Sequence, residues 1–205
     1  MAATWDNISD AIMHYGKTYP DRPAIVDGPS TLTYGQFAEY VRKASVYLRD
    51  LGISADHRVG IALVNSTDHL ILYFGLMRIG ATVVEIPSIS PPRNVAALVK
   101  KLGIYAMFIE ADAEAATASL GVRVDVNWRR LVDGKTGDAR TDRDADHCRL
   151  VTLTSGSTGL SRGVVSTHRQ RMARVDAYQE IYKDRWSPEN PAAFLLTRIW
   201  ILGCD

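Results

Sequence analysis

The sequence predicts an α/β protein with a doubly wound, mostly parallel sheet and flanking helices. Short apolar, β-branched runs alternate with stretches of helical periodicity, and the connections between them are short, which is typical of parallel strands joined by crossover helices. Glycines, prolines and capping side chains mark the ends of these segments. The 205 residues are 46% hydrophobic and 23% charged, an ordinary globular composition that suffices for one substantial core.

The predicted helices have apolar residues at helical spacing and recognisable ends. Thr33, with Gln36 three residues later, forms a capping box for the second helix, which Gly52 ends. Residues 65–67 offer caps for the third helix, and Gly80 ends it. The predicted helices cover residues 5–15, 33–51, 67–79, 94–102 and 111–120, and a last helix runs from after residue 168 to about residue 183.

The predicted strands are short and rich in β-branched residues. Residues 24–26 and 31–33 flank the turn signal Asp27-Gly28-Pro29 and are predicted to pair as a hairpin. The polar, charged segment 133–146 has no apolar periodicity and is predicted to be an exposed connection. The remaining predicted strands are residues 59–64, 81–86, 105–109, 122–126, 150–153, 164–165, 192–196 and 199–202.

Charge and composition narrow the function classes. The net charge of +1 gives no electrostatic reason to expect nucleic acid or an anionic membrane as a partner. Cys148 and Cys204 are far apart, which favours a reducing compartment, and His147 beside Cys148 lacks a second ligand pair for a metal. The longest apolar stretch contains Arg78 and Glu85, and the N-terminus has no signal-peptide core, so we predict a cytoplasmic protein without a membrane span.

A loop made of glycines, hydroxyls and one cation joins the strands predicted at 150–153 and 164–165. Glycines allow backbone N–H groups to approach an anion, and hydroxyls add hydrogen-bond donors. An arginine adds a positively charged guanidinium group with paired N–H donors suited to phosphate oxygens. The P-loop, dinucleotide and nucleophile-elbow patterns do not fit, and composition alone is equally consistent with a flexible surface loop. The candidate phosphate-binding residues are Thr154, Ser155, Gly156, Ser157, Thr158, Gly159, Arg162 and Gly163.

The string T-S-G-S-T-G-x-x-[KR]-G at residues 154–163 resembles the phosphate-binding loop of the adenylate-forming enzymes. This family of AMP-dependent synthetases and ligases includes acyl- and aryl-CoA synthetases, peptide-synthetase adenylation domains and luciferases. Ser161-Arg162 stands where the family usually has Pro-Lys, so the charge is kept and some loop rigidity is lost. Two further stretches, 32–37 and 75–87, resemble the family's "L-T-Y-x-E-L" and "K-A-G-A-x-x-V-P" motifs in order and spacing.

The resemblance implies ATP-dependent activation of a carboxylic acid as an acyl-adenylate, followed by transfer to a thiol. It implies ATP, Mg²⁺ and CoA as cofactors, a carboxylic acid and a thiol acceptor as partners, and a loop that holds the β- and γ-phosphates. No residue can be assigned as the catalytic acid, base or nucleophile, and His168 is interpreted as structural. Fatty, aryl and amino acids all stay open as the substrate.

The resemblance also implies that residues 1–205 are an incomplete, N-terminal part of the large adenylate-forming domain. The family's lysine-bearing C-terminal domain and its later adenine-, magnesium- and ribose-binding motifs have no counterpart in the chain. We therefore expect the chain by itself to be inactive. The alternative is a catalytically inactive remnant or split-protein fragment that binds nucleotide weakly. Such a fragment could associate with itself or with a complementing piece through the apolar run at 194–202.

Overall fold

The computed structural model of the chain describes residues 5–110, 122–124, 126–142, 144–154 and 162–182. The helices within these ranges are α1 (Ile8–Thr18), α2 (Tyr34–Asp50), α3 (Thr67–Arg78), α4 (Pro92–Leu102), α5 (Val126–Asp133) and α6 (His168–Tyr182). The strands are β1 (Pro23–Asp27), β2 (Ser30–Thr33), β3 (Arg58–Ala62), β4 (Thr82–Glu85), β5 (Ile104–Glu110), β6 (Val122–Val124), β7 (Cys148–Thr154) and β8 (Arg162–Thr167).

The main sheet has six strands in the order β6-β5-β3-β4-β7-β8. The first five are parallel, and β8 runs antiparallel to β7, with which it forms a hairpin. The strands β1 and β2 form a separate antiparallel pair, as predicted. The predicted fold class, a mostly parallel sheet with flanking helices, is therefore confirmed.

The sheet is buried on both faces, because successive residues of its central strands point to opposite sides. In β4, Val83 packs into the apolar core shared with α1, α2 and α3, whereas Val84 packs into the core on the side of α4. Both valines are fully buried. Two cores, one on each face, are what a doubly wound sheet requires.

The helix ends follow the local chemistry that predicted them. The Gln36 N–H donates to Thr33 Oγ1 at 3.3 Å and the Thr33 N–H donates to Gln36 Oε1 at 2.9 Å, so the capping box is present. Ser66 accepts from the His69 N–H at 3.2 Å and caps α3. Gly103 ends α4 with a φ of 59°, in the left-handed region that glycine adopts without strain.

Several predicted boundaries are displaced by two or three residues. Helix α1 begins at Ile8, three residues later than predicted, because Asn7 is its N-cap and accepts from the Ser9 N–H at 3.0 Å. Strand β6 ends at Val124, and helix α5 follows where a strand was predicted to continue. The predicted helix at 111–120 and the predicted strands at 192–196 and 199–202 lie outside the described residues.

The prediction of an exposed connection at 133–146 was wrong for its centre. Ala139 is buried, its N–H donates to Ser45 Oγ at 2.9 Å, and its carbonyl accepts from Arg49 Nη2 at 2.8 Å. Asp138 accepts from Arg78, which is only 5% exposed. These partners lie sixty or more residues away in the sequence, so local composition contained no signal for them.

Candidate functional site

The candidate site lies where strand β7 ends and strand β8 begins. Strand β7 ends at Thr154 and β8 begins at Arg162, and these two residues are paired across the hairpin. The Thr154 hydroxyl donates to the Arg162 carbonyl at 3.3 Å, which holds the two ends of the loop together. Five of the predicted site residues, Ser155, Gly156, Ser157, Thr158 and Gly159, lie outside the described residues.

Thr154 and Arg162, which flank the candidate loop, lie at the carboxyl edge of the parallel strands. Strand β7 runs parallel to β4, which runs parallel to β3, so their carboxyl ends meet at one edge. Helix α3 begins at the same edge, because only a short connection joins it to the end of β3. In open α/β sheets this edge is where ligands bind.

Arg162 and Gly163 serve the hairpin in different ways. Arg162 is exposed, and its side chain forms no ion pair with any described residue, so a fixed positive charge stands beside the loop. Gly163 lies opposite Leu153, and a Cβ atom built on it would lie 2.6 Å from Val151 Cγ1. Gly163 therefore lets the two strands approach closely, a packing role that the loop prediction did not include.

A buried polar pair at the same edge was not predicted. His69 on α3 is 3% exposed, and its Nε2 lies 3.3 Å from Glu85 Oε2 at the end of β4. His69 Nδ1 also lies 3.3 Å from the Val64 carbonyl oxygen. The sequence did contain one indication of this pair, because Glu85 ends the otherwise apolar strand β4 and a buried charge needs a partner.

Glu110, at the end of β5, is also occupied. Its Oε1 accepts a short hydrogen bond from the Val64 N–H and thereby ties β5 to the residues that follow β3. The carboxylates of Glu85 and Glu110 at this edge are thus both engaged by the protein itself.

His168 is structural, as interpreted, but only one of its ring nitrogens is satisfied within the described ranges. It is fully buried, and the Ile8 N–H donates to its Nδ1 at 3.4 Å, which ties α6 to α1. Its Nε2 has no hydrogen-bond partner among the described residues. Burial, reinforced by the charges of Arg149 and Arg171, lowers the pKa of His168 to about 4, so the ring is neutral at pH 7.

The arginines near the start of α6 differ in their exposure. Arg169 is exposed and pairs with Asp146 at 2.6 Å, and Arg174 is exposed. Arg171 differs, because its Nε is buried and has no hydrogen-bond partner in the described part of the chain.

Residues 5–110, 122–124, 126–142, 144–154 and 162–182 contain no group of three or more histidine, cysteine, aspartate or glutamate side chains that could hold a metal. Cys148 is a half-buried free thiol whose pKa is raised by burial. Of the described helices, none has the length and apolar character needed to cross a bilayer.

The fold defines a class: an α/β protein with a mostly parallel sheet and flanking helices, in which the glycine- and hydroxyl-rich sequence follows β7 at the carboxyl edge of the sheet. The family model of AMP-binding enzymes matches residues 13–204. The chain belongs to this family, and the predicted resemblance to adenylate-forming enzymes is confirmed.

Similar proteins include nonribosomal peptide synthetase 8 of Aspergillus fumigatus, which is 28% identical over 166 residues, 78% of this chain and 2% of that protein. The NpsA N-terminal subdomain of Klebsiella oxytoca, solved in complex with 3-hydroxybenzoyl-AMSN, is 25% identical with a TM-score of 0.67 over 80% of this chain and 41% of that chain. A fatty acyl CoA synthetase of Mycobacterium tuberculosis, 22% identical, shares the fold with a TM-score of 0.68 over 80% of this chain and 35% of that chain. The chain thus spans less than half the length of each.

Proposed function

We propose that the chain binds the phosphates of ATP in a protein that activates a carboxylic acid as an acyl-adenylate. The observation that carries this proposal is the β7–β8 hairpin, which holds a glycine- and hydroxyl-rich sequence at the carboxyl edge with the exposed charge of Arg162 at its end. Membership of the AMP-binding enzyme family supports it.

In this reaction an oxygen of the acid's carboxylate attacks the α-phosphorus of ATP. The bond from the α-phosphorus to the bridging oxygen breaks, and pyrophosphate leaves with the electron pair. Negative charge then accumulates on the departing pyrophosphate, and catalysis depends on positioning and on neutralising that charge. The proposed roles are N–H and O–H donation by residues 154–159 and charge balance by Arg162, with Gly163 keeping the hairpin closed.

The proposal includes Mg²⁺ and a thiol acceptor. The described carboxylates at the edge fit Mg²⁺ poorly, because Glu85 is paired with His69 and Glu110 accepts from the Val64 N–H. We therefore propose that Mg²⁺ arrives bound to the phosphates of ATP. The acceptor is CoA or a thiol on a carrier, and the relatives include both a peptide synthetase and a CoA synthetase by name.

The acid is the least defined partner. The NpsA subdomain was solved with 3-hydroxybenzoyl-, 3-hydroxyanthranilyl- and anthranilyl-AMSN, and it is 25% identical to this chain. Aromatic acids are therefore the first class to test.

We further propose that residues 1–205 form part of an AMP-binding domain with its phosphate loop at 154–163, and that thiol transfer needs residues outside this range. The second candidate function is that of a non-catalytic fragment that associates with a partner. It is favoured by β8, which is at the edge of the sheet among the described strands, where Val164 and Val165 are 51% and 54% exposed. Size measurement together with titration of Mg-ATP separates the two, since the non-catalytic fragment would assemble while binding Mg-ATP weakly or not at all.

Isothermal titration of the chain with Mg-ATP and with pyrophosphate tests the loop. Arg162→Ala should weaken both affinities roughly 10- to 100-fold, the effect of one charge-assisted contact, and Arg162→Lys should recover part of the loss. Arg174→Ala, which removes an exposed arginine from α6, is the matched control and should bind like the wild type. Absence of heat with both ligands, or equal affinity of Arg162→Ala and wild type, contradicts the proposal.

A further inference from the structure

One histidine joins the carboxyl ends of three parallel strands. His69 on α3 is 3% exposed, and its Nε2 lies 3.3 Å from Glu85 Oε2 at the end of β4. Its Nδ1 lies 3.3 Å from the carbonyl oxygen of Val64, two residues after β3. The N–H of the same Val64 donates a short hydrogen bond to Glu110 at the end of β5. His69 therefore connects β3, β4 and β5 at the edge where ligands bind in open α/β sheets.

The contacts of His69 determine the charge of the His69–Glu85 pair. The Val64 carbonyl can only accept a hydrogen bond, and an ionised carboxylate can only accept as well. Both contacts of the ring are hydrogen bonds only if the ring carries two protons, or if Glu85 holds the second proton itself. In either form the pair has no net charge, because one proton neutralises the Glu85 carboxylate.

The pair lies on the same face of the sheet as Thr154, where the candidate loop begins. Val83 and Leu150 are paired across β4 and β7, and both pack into the core shared with α1, α2 and α3. Glu85 and Thr152, two residues later in each strand, are also paired and point to that face, because side chains alternate along a strand. Thr154 follows on the same face, about 7 Å further along β7. A phosphate held at the loop would therefore lie on the order of 10 Å from the Glu85 carboxylate.

An uncompensated carboxylate at that distance would oppose the binding of a polyphosphate. Two unit charges about 10 Å apart, at an effective dielectric constant of about 20, repel each other strongly enough to change an affinity roughly tenfold. Stability alone does not account for the pair, because buried ion pairs often stabilise a fold no better than apolar residues of similar volume. The position of the pair beside the loop gives the neutralisation of Glu85 a role in binding.

Resting on the proposed function, we propose that His69 is a positioning residue for nucleotide binding. It neutralises Glu85 beside the phosphate loop, and through Val64 it holds the ends of β3 and β5 in place. The loop then meets the phosphates of ATP without an uncompensated carboxylate beside it.

The test compares four versions of the 205-residue chain: the wild type, His69→Gln, Glu85→Gln and the double variant. Glutamine is polar like the replaced side chains but carries no charge. Dissociation constants for Mg-ATP and for pyrophosphate are measured by titration calorimetry at pH 7. His69→Gln should weaken both ligands roughly tenfold, because Glu85 keeps its charge without a partner. Glu85→Gln and the double variant should bind like the wild type, because neither contains the carboxylate.

His57→Gln is the matched control. His57 lies just before β3, at the opposite edge of the sheet, and its Nδ1 accepts from the Ser54 N–H at 3.0 Å. This variant should bind both ligands like the wild type. If His69→Gln shows no cooperative melting transition, His69→Asn, which is equally uncharged, takes its place alone and combined with Glu85→Gln.

Added salt provides a second measurement. At 1 M KCl the screening length falls to about 3 Å, so the ratio of wild-type to His69→Gln affinity should approach one. Equal affinity of His69→Gln and wild type at low salt overturns the positioning role. A loss that persists in the double variant, or that 1 M KCl leaves unchanged, also overturns it, because His69 would then only support the fold.

The outcome is separable from that of the proposed function. If Arg162→Ala weakens Mg-ATP binding while His69→Gln does not, the phosphate loop stands and the role of His69 falls. If the wild type binds neither Mg-ATP nor pyrophosphate, the phosphate assignment falls, and the role of His69 falls with it.

Discussion

Replacing Arg78 by alanine is expected to destabilise the chain by about 3 kcal/mol, because it removes the buried centre of an ion cluster. Arg78 is 5% exposed, its Nε donates to Asp138 Oδ1 at 2.6 Å, and its Nη2 forms a second, short contact with the same carboxylate. Its Nη1 lies 3.2 Å from Asp10 Oδ1. The substitution leaves both carboxylates without this partner.

The magnitude follows from the exposure of the groups. Breaking a fully buried pair costs roughly 3–5 kcal/mol, and the low end applies because the Asp138 side chain keeps 31% of its exposure. For a chain of this size, a loss of about 3 kcal/mol lowers the melting temperature by about 6–12 °C. Urea unfolding at 25 °C and calorimetry measure the two quantities.

The control is Arg42→Ala, which removes a pair with Glu39 in which both side chains are more than 40% exposed. Such surface pairs contribute about 1 kcal/mol or less. If Arg78→Ala costs no more than Arg42→Ala, the cluster does not stabilise the fold and the reasoning is refuted.

The same cluster predicts a pH dependence. Burial raises the pKa of Asp138, but the hydrogen bonds and charge of Arg78 outweigh burial and hold the pKa below its ordinary value of 3.8. A carboxylate with a lowered pKa contributes stability above its unfolded value, and that contribution is lost as the pH falls through the folded value. The difference in free energy of unfolding between wild type and Arg78→Ala should therefore be the same at pH 7 and at pH 5. It should shrink only below about pH 3.8.

Two further substitutions test the hairpin and the buried histidine. Gly163→Ala should cost about 1–3 kcal/mol, because the new methyl lies 2.6 Å from Val151 Cγ1, whereas Gly134→Ala, with its nearest atoms at 3.6 Å, should change urea stability by less than about 0.5 kcal/mol. Equal effects of the two would contradict the packing role. Burial lowers the pKa of His168 to about 4, so the neutral ring contributes stability to the fold above pH 6.5. This contribution should fall by on the order of 2 kcal/mol as the pH drops from 6.5 toward 4. His168→Asn, which keeps an acceptor, should flatten this slope, and an unchanged slope would show that the ring is not its source.

Local chemistry made most of the fold predictable. The Thr33–Gln36 capping box, the Ser66 cap and the glycine at position 103 act within a few residues of the chain, so they can be read without tertiary information. Apolar periodicity then placed five parallel strands, because a strand buried on both faces must be apolar along its length. Helix α5 was missed, although Trp128 and Val132, which are buried, stand four residues apart.

The candidate site divides in the same way. The family could be recognised from the sequence of residues 154–163. A loop of this kind is expected to act through backbone and hydroxyl groups that are adjacent in sequence, so its pattern is visible without tertiary information. The roles of its individual residues stay predictions until nucleotide binding is measured. The Gly163 packing requirement could not be read from sequence, because it depends on the distance to a neighbouring strand.

The sequence by itself determined the fold class, the family and the candidate loop, all of which depend on patterns short enough to be local. Only the tertiary structure decided that Arg78 joins Asp10 and Asp138, and that His69 meets Glu85. A charged or polar side chain pairs with whichever group is close in space. Because crossover connections bring together residues that are tens of positions apart, that group is seldom a neighbour in sequence. Those partnerships contribute to stability, and they become visible only once the sheet is assembled.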